Sequence, residues 1–182
     1  MVGSMNDVHR VKSIVEEVKA ELKAEGLAYS EEVKIGVMVE VPTIAVIADI
    51  VAKEVDFCSI GTNDLTQYST AVDRMNPNVA GYYQTFHPAL FRLIGHVIKS
   101  FNAEGKSVGV CGEMGGNPLT AAVLMGLGMR TLSMGIASVA GIKKLVTNIT
   151  IPELEALANK VVNMATASEI EEYLKKELAE LI

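Results

Sequence analysis

The sequence predicts a parallel α/β fold, and three observations carry that expectation. Short runs rich in β-branched residues, Ile35 to Val39, Val55 to Ile60 and Ser107 to Val110, are bounded by Gly and Pro in the manner of buried strands. Segments with helical spacing of apolar residues lie between them, so strand and helix alternate along the chain. Each run also stops on or just before a chemically capable side chain: Glu40, the pair Asn63-Asp64, and Cys111. Parallel strands place their C-terminal ends on one rim, where ligands bind in such folds, so these groups are expected to converge.

The chain opens with Val8, Val11, Val15, Val18 and Leu22 at helical spacing among Glu and Lys, and Gly26 follows as a stop, which predicts an amphipathic helix. After the first strand, Pro42-Thr43 leads into Ile44, Ile47, Ile50 and Val51 on one expected helix face. The second strand is followed by a connection from Thr62 to His87 with no sustained period. Its Asn, Asp, Gln and three Tyr favour a functional loop over a disordered one. His87-Pro88 then opens a helix carrying Leu90, Leu93, Ile94, Val97, Ile98 and Phe101, closed by Gly105. The third strand runs through a Gly-rich turn to Asn117-Pro118, a cap and first-turn pair for a helix from Leu119 to Gly126. A fourth short strand is expected at Thr131 to Met134. Helices around Ser138 to Thr147, Pro152 to Met164 and Ser168 to Leu181 complete the chain, the last begun by a capping box of Ser168 and Glu171.

At 182 residues with 49% hydrophobic content, the chain can bury one sizeable core and is expected to form one domain. A closed (β/α)₈ barrel needs about 250 residues, or about 31 per unit, so four units amount to half of one. An open α/β sheet and the C-terminal half of a barrel both fit. The net charge of −6, without a basic cluster, argues against nucleic-acid binding and against a membrane-surface patch. No apolar stretch reaches transmembrane length and the first residues lack a signal-peptide pattern, so a cytoplasmic protein is expected. Cys58 and Cys111 make neither a metal spacing nor a disulfide framework, which fits a reducing compartment.

Neighbouring strands lie about 4.8 Å apart, so Glu40 and Asp64 on adjacent strand ends can reach one ion, and two carboxylates with open positions suit Mg²⁺. The plainer alternatives are that Glu40 caps the helix at Pro42 and that Asp64 is an N-cap. Arg74, inside the long connection, can grip a carboxylate or phosphate at two points, or can simply be solvated. Cys111 can serve as a proton donor on the rim, or as a buried structural thiol. Cys58, inside a strand, reads as core packing. His87 reads as a helix cap, His96 as structural, and His9 as exposed.

Gly61-Thr62-Asn63-Asp64-Leu65-Thr66-Gln67-Tyr68, Ala71-Val72-Asp73-Arg74 and Cys111-Gly112-Glu113-Met114 closely resemble the enzyme I family of the bacterial phosphoenolpyruvate-dependent sugar phosphotransferase system. The resemblance spans nearly the whole chain. That family groups with pyruvate phosphate dikinase and phosphoenolpyruvate synthase, whose substrate domain is a TIM (β/α)₈ barrel. Tyr68 and the Ala-Val-Asp-Arg run favour enzyme I over those relatives. The resemblance implies that residues 1–182 are part of the phosphoenolpyruvate-binding barrel, about strands 5–8 of 8, with extra C-terminal helices. It implies Mg²⁺ ligation by Glu40 and Asp64, contact of Asn63, Asp64 and Arg74 with phosphoenolpyruvate, and protonation of the enolate by Cys111 to give pyruvate. Met75 stands where many relatives carry Gly.

In that family the first barrel half supplies phosphate-binding arginines, and a further N-terminal region carries the phosphorylated histidine and the site for the phosphocarrier protein. The sequence contains neither, so Met1 is expected to fall inside a parent protein and the chain is expected to be inactive alone. An open half-barrel exposes a sheet edge and an inner face, and self-association is expected from that. The alternatives are a stand-alone, non-catalytic module that binds a phosphorylated metabolite, or part of a pyruvate phosphate dikinase.

Overall fold

The computed structural model describes residues 1–182. Helix α1 (Met5–Ala24) starts at a capping box: Ser4 Oγ accepts from the Asp7 amide, and Asp7 Oδ2 accepts from the Ser4 amide at 2.9 Å. It docks through its first half, where Val8 is buried and Lys12 Nζ lies 3.1 Å from Glu54 Oε2. Val11 and Val18, which the periodicity assigns to an inward stripe, are exposed instead.

Four strands follow: β1 (Gly36–Val39), β2 (Phe57–Gly61), β3 (Ser107–Cys111) and β4 (Thr131–Leu132). They pair in the order β1-β2-β3-β4, all parallel, with Val39 opposite Ile60 and Gly61 opposite Cys111. Spatial order therefore equals sequence order, without the reversal that marks a doubly wound sheet. The helices crossing between these strands cover one face only. That face carries Val37, Val39, Cys58, Ile60, Val108 and Val110, all buried. Each side chain of this size contributes about 1.5–3 kcal/mol when fully buried. The alternate positions face the other way and stay open, with Met38 37% and Phe57 38% exposed. A singly wound sheet with helices outside and a bare inner face is a segment of barrel wall, which resolves the choice left open by chain length in favour of half a barrel.

Between β1 and β2 the single expected helix is two, α2 (Pro42–Val46) and α3 (Ala48–Glu54), broken at Ile47, whose φ of −98° and ψ of 25° are not helical. The break turns Ile50 outward and lets Ala45, Ala48, Val51 and Ala52 pack inward. The connection from Thr62 to His87 is not a structureless loop. It opens with α4 (Thr62–Thr70), whose Leu65 and Thr66 are buried, and contains a 3₁₀ helix over Pro77–Tyr82. The helix is invisible to periodicity because Thr66 and Thr70 satisfy their hydroxyls on the carbonyls of Thr62 and Thr66, at 2.7 and 2.8 Å, so polar residues line its inward side. Ala71 ends it in the left-handed region, at φ 54°.

Helix α5 (Pro88–Ala103) is capped by His87, whose Nδ1 accepts from the Ala89 amide at 3.1 Å, while His96 Nε2 lies 3.1 Å from the Val46 carbonyl oxygen. After β3 come the one-turn α6 (Glu113–Gly116) and α7 (Pro118–Gly126), the latter capped by Asn117 as expected. β4 is two residues shorter than expected. Helices α8 (Ile136–Thr147), α9 (Ile151–Val161) and α10 (Ala167–Glu177) follow. The box that starts α10 is Thr166 with Glu169, two residues upstream of the expected Ser168 and Glu171: the Thr166 amide donates to Glu169 Oε2 at 3.0 Å. That register turns Ile170, Leu174 and Leu178 inward, and they join the same core as the strands.

Candidate active site at the strand ends

The C-terminal ends of β1, β2 and β3 lie side by side: β1 delivers Glu40 to the rim, β2 delivers Asn63 and Asp64, and β3 delivers Cys111. Glu40 follows β1 directly. Its side chain is only 16% exposed and does not cap α2, whose N-cap is Val41 without a side-chain bond. Room for it comes from Gly61 on the neighbouring strand, where an added Cβ would stand 3.0 Å from Glu40 Cβ and 3.2 Å from its Oε2. Asp64 is not an N-cap either. That position belongs to Gly61, and Asp64 sits in the first turn of α4, where the helix dipole favours a carboxylate.

Arg74 does not point freely into solvent. Its Nη2 stands 3.5 Å from Asp64 Oδ1, and its amide donates to Gln67 Oε1 at 3.0 Å. A partly exposed pair of this kind contributes at most about 1 kcal/mol to stability, so its consequence is placement of the guanidinium. Asn63 is fixed from two sides: its Oδ1 accepts from the Glu113 amide at 3.1 Å, and its carbonyl accepts from the Tyr83 hydroxyl at 3.3 Å. With the side-chain oxygen used, the amide NH₂ is the part of Asn63 left to meet a ligand.

Cys111 ends β3 on the inner face, partly exposed. Ser59 Oγ on the adjacent strand donates to its sulfur at 3.4 Å, and Met38 Sδ lies 3.5 Å away, two strands over. The other thiol, Cys58, points into the core, where burial pushes its pKa up to about 12 and leaves it inert. A cleft of about 840 Å³ runs beside Cys111, lined by Asn63, Glu113, Asn117, Ser133 and Ser138. A groove of similar size lies on the outer surface between Val46, Arg92 and Met164, remote from all of these groups. Its Arg92 and His96 are already engaged with the main-chain carbonyls of Val162 and Val46.

The structure thus places Glu40, Asn63, Asp64 and Cys111 at the ends of three adjacent strands and brings Arg74 back onto them through Asp64. A family model for the PEP-utilising enzyme, PEP-binding domain matches residues 1–151. The chain belongs to this family. PEP-utilising relatives include the phosphoenolpyruvate-protein phosphotransferases of Priestia megaterium, 42% identical over 175 residues, and of Haemophilus influenzae, 42% identical over 180 residues. The Bacillus subtilis protein of the same name is 42% identical over 176 residues. These alignments cover 96%, 99% and 97% of this chain but 30%, 31% and 31% of the respective relatives. The chain therefore spans under one third of the length of the PEP-utilising proteins it matches.

Three contributors to the rim were not visible as such in the sequence: Tyr83, the Glu113 amide and Ser59. Tyr83 had a trace, since it is one of three Tyr in an otherwise polar connection. A backbone amide leaves no trace in residue identity, and Ser59 is one small residue in a strand.

Proposed function

We propose that residues 1–182 form one unit, half of a phosphoenolpyruvate-binding barrel, about strands five to eight of eight, in a cytoplasmic phosphoenolpyruvate-protein phosphotransferase. The observation that carries this reading is the gathering of Glu40, Asp64, Asn63 and Cys111 at three adjacent strand ends in a chain of the PEP-utilising family. Glu40 and Asp64 are oxygen donors, both partly open to solvent, and no third His, Cys, Asp or Glu joins them in a metal-binding group. Such a donor set suits Mg²⁺, which keeps several waters and takes substrate oxygens in its remaining positions. When bound, the ion supplies charge stabilisation to the oxygens of the substrate.

Asn63 and Arg74 orient phosphoenolpyruvate, the first through its free amide NH₂ and the second through its guanidinium. In the complete enzyme the phosphorus–oxygen bond breaks as a histidine outside this chain accepts the phosphoryl group, leaving the enolate of pyruvate. Cys111 then gives its sulfur-bound proton to the methylene carbon, producing pyruvate and a thiolate. The Ser59 hydroxyl, already directed at the sulfur, can stabilise that charge. The phosphorylated histidine passes its group to a phosphocarrier protein.

The acceptor histidine and the opposing wall of the barrel fall in the part of the relatives' length that residues 1–182 do not cover, so residues 1–182 by themselves hold the site without completing a turnover. The open inner face and free strand edges support self-association through that side. A coupled pyruvate assay on the purified chain with phosphoenolpyruvate and Mg²⁺ tests the reading, and no pyruvate is expected. Sustained pyruvate release that disappears in Cys111→Ala would show that half the barrel suffices. Calorimetric binding of phosphoenolpyruvate that requires Mg²⁺ and is lost in Asp64→Ala is the positive counterpart.

A further inference from the structure

The segment from Ala71 to His87 lies over the rim mostly in solvent, with Met75 82% and Tyr82 70% exposed. Val72 is buried and Phe86 packs against the core at the two ends of the segment, and between them Tyr83 also turns inward. It is partly buried, and its hydroxyl donates to the carbonyl of Asn63, twenty residues earlier in the chain, over 3.3 Å. Arg74 and Glu113 both lie within electrostatic reach of the phenol. Burial first, and the Glu113 carboxylate second, raise its pKa, so it remains a neutral donor through the physiological range. Arg74, in the same segment, returns to α4 through Asp64 Oδ1 and Gln67 Oε1. The segment is thus fastened to the first turns of α4 near both of its ends. One fastening bears on Asn63, which Glu113 holds from the opposite side.

The geometry points to Tyr83 as a positioning residue for the Asn63 and Arg74 pair: its hydroxyl anchors the segment that carries the guanidinium onto the turn that carries the amide. An exposed arginine on an unanchored segment must lose its own freedom and that of its neighbours when it grips a ligand. A segment already pinned has less to lose, and a misplaced group at such a site is costly. The contact is independent of what binds, whereas its purpose rests on the phosphoenolpyruvate reading above.

The test is Tyr83→Phe in the 182-residue chain, which removes the hydroxyl and keeps the ring, with Tyr82→Phe as a control at the exposed neighbour. The first readout is the Arg74 Nε–H resonance, assigned with Arg74→Lys. It is expected to move toward the position of a free arginine in Tyr83→Phe while the circular dichroism spectrum of the fold is retained, and to stay in place in Tyr82→Phe. A resonance unmoved by the loss of the Tyr83 hydroxyl overturns the proposal. The second is calorimetry with phosphoenolpyruvate and Mg²⁺. Tyr83→Phe is expected to weaken binding about fivefold, the worth of one ordinary hydrogen bond, and to add nothing further in the Arg74→Lys background. Losses that add independently also overturn the proposal. A native chain that takes up no phosphoenolpyruvate counts against the functional reading, while the resonance still decides the role of Tyr83.

Discussion

Gly112 stands against Asn63 so closely that a Cβ added to it would come within 3.0 Å of Asn63 Oδ1 and 2.5 Å of Thr62 Oγ1. Its φ of 110° lies where side chains are rarely accommodated. The turn that carries the chain from Cys111 to Glu113 therefore needs glycine twice over, for its conformation and for the approach of α4. Only in that conformation does the Glu113 amide reach the Asn63 side chain.

Gly112→Ala is accordingly expected to lower unfolding free energy by about 1–3 kcal/mol, the usual range for a strained backbone position. It should also release Asn63. Urea denaturation measures the first effect and the Asn63 side-chain NH₂ resonances report the second. An alanine variant with native stability and native resonances would contradict the close packing described.

Gly126, near the end of α7, marks a contact far from the rim. A Cβ there would collide with the Leu154 carbonyl of α9, because the two helices approach at backbone distance. Gly126→Ala should cost about 1–3 kcal/mol through overpacking, despite the better helix propensity of alanine. The proposed binding of Mg²⁺ and phosphoenolpyruvate should be unaffected in the remaining folded fraction. Calorimetry paired with a urea titration separates the two effects, and a stabilised variant would be the contrary result.

The two cysteines should differ sharply in reactivity. In the folded chain near neutral pH, iodoacetamide is expected to modify one thiol, at Cys111, which is partly exposed. Cys58, with its pKa pushed up to about 12 by burial, should react only after unfolding. Peptide mapping by mass spectrometry checks this. Equal labelling of both sites under native conditions would mean that the β2 core opens readily.

Acid should weaken the folded chain through its capping carboxylates. Asp7 is held below the usual carboxylate range, first by the amide of Gly3 and then by Ser4, and Glu153 is held down by Thr150. A carboxylate with a depressed folded pKa stabilises the native state above its unfolded value. That contribution fades as pH falls from about 4 through the folded value. Asp7→Asn and Glu153→Gln should both flatten the decline of melting temperature below about pH 4, where ordinary carboxylates titrate. An unchanged acid slope in the double variant would remove these caps from the account.

Sedimentation velocity over a concentration series bears on the proposed self-association. The bare inner face presents Met38 and Phe57, α1 presents Val11, Ile14 and Val18, and α8 presents Ile136 and Val139 at the other end of the sheet. A species heavier than the monomer is expected to grow with concentration, and Phe57→Lys should reduce it. A monomer at every concentration would refute the association.

Much of this was legible in the residues. The alternation of β-branched runs with helical spacing located all four strands to within a few residues, and Pro at first-turn positions with Asn117 and His87 before them marked the starts of α7 and α5. Strand ends named Glu40, Asn63, Asp64 and Cys111 because a parallel sheet leaves no choice about which ends share an edge, whereas Arg74 was assigned to the site only by the family resemblance. The sequence by itself also selected half a barrel once its motifs were matched to a family.

Tertiary structure alone decided the rest. Helix α4 carries no apolar periodicity because threonines, satisfied on its own carbonyls, face the interior in place of apolar residues. The start of α10 shifted by two residues because Thr166 and Ser168 are equally good caps in isolation, and only core packing of Ile170 and Leu174 chooses between them. Arg74 changed from a solvated charge to a partner of Asp64, and Tyr83 from one tyrosine among three to an anchor on Asn63. Local patterns fix which segments are strands and helices because their repeat is encoded in neighbouring residues. Which side chains meet across ten or twenty residues depends on how the chain returns over the rim, and that path exists only in the folded state.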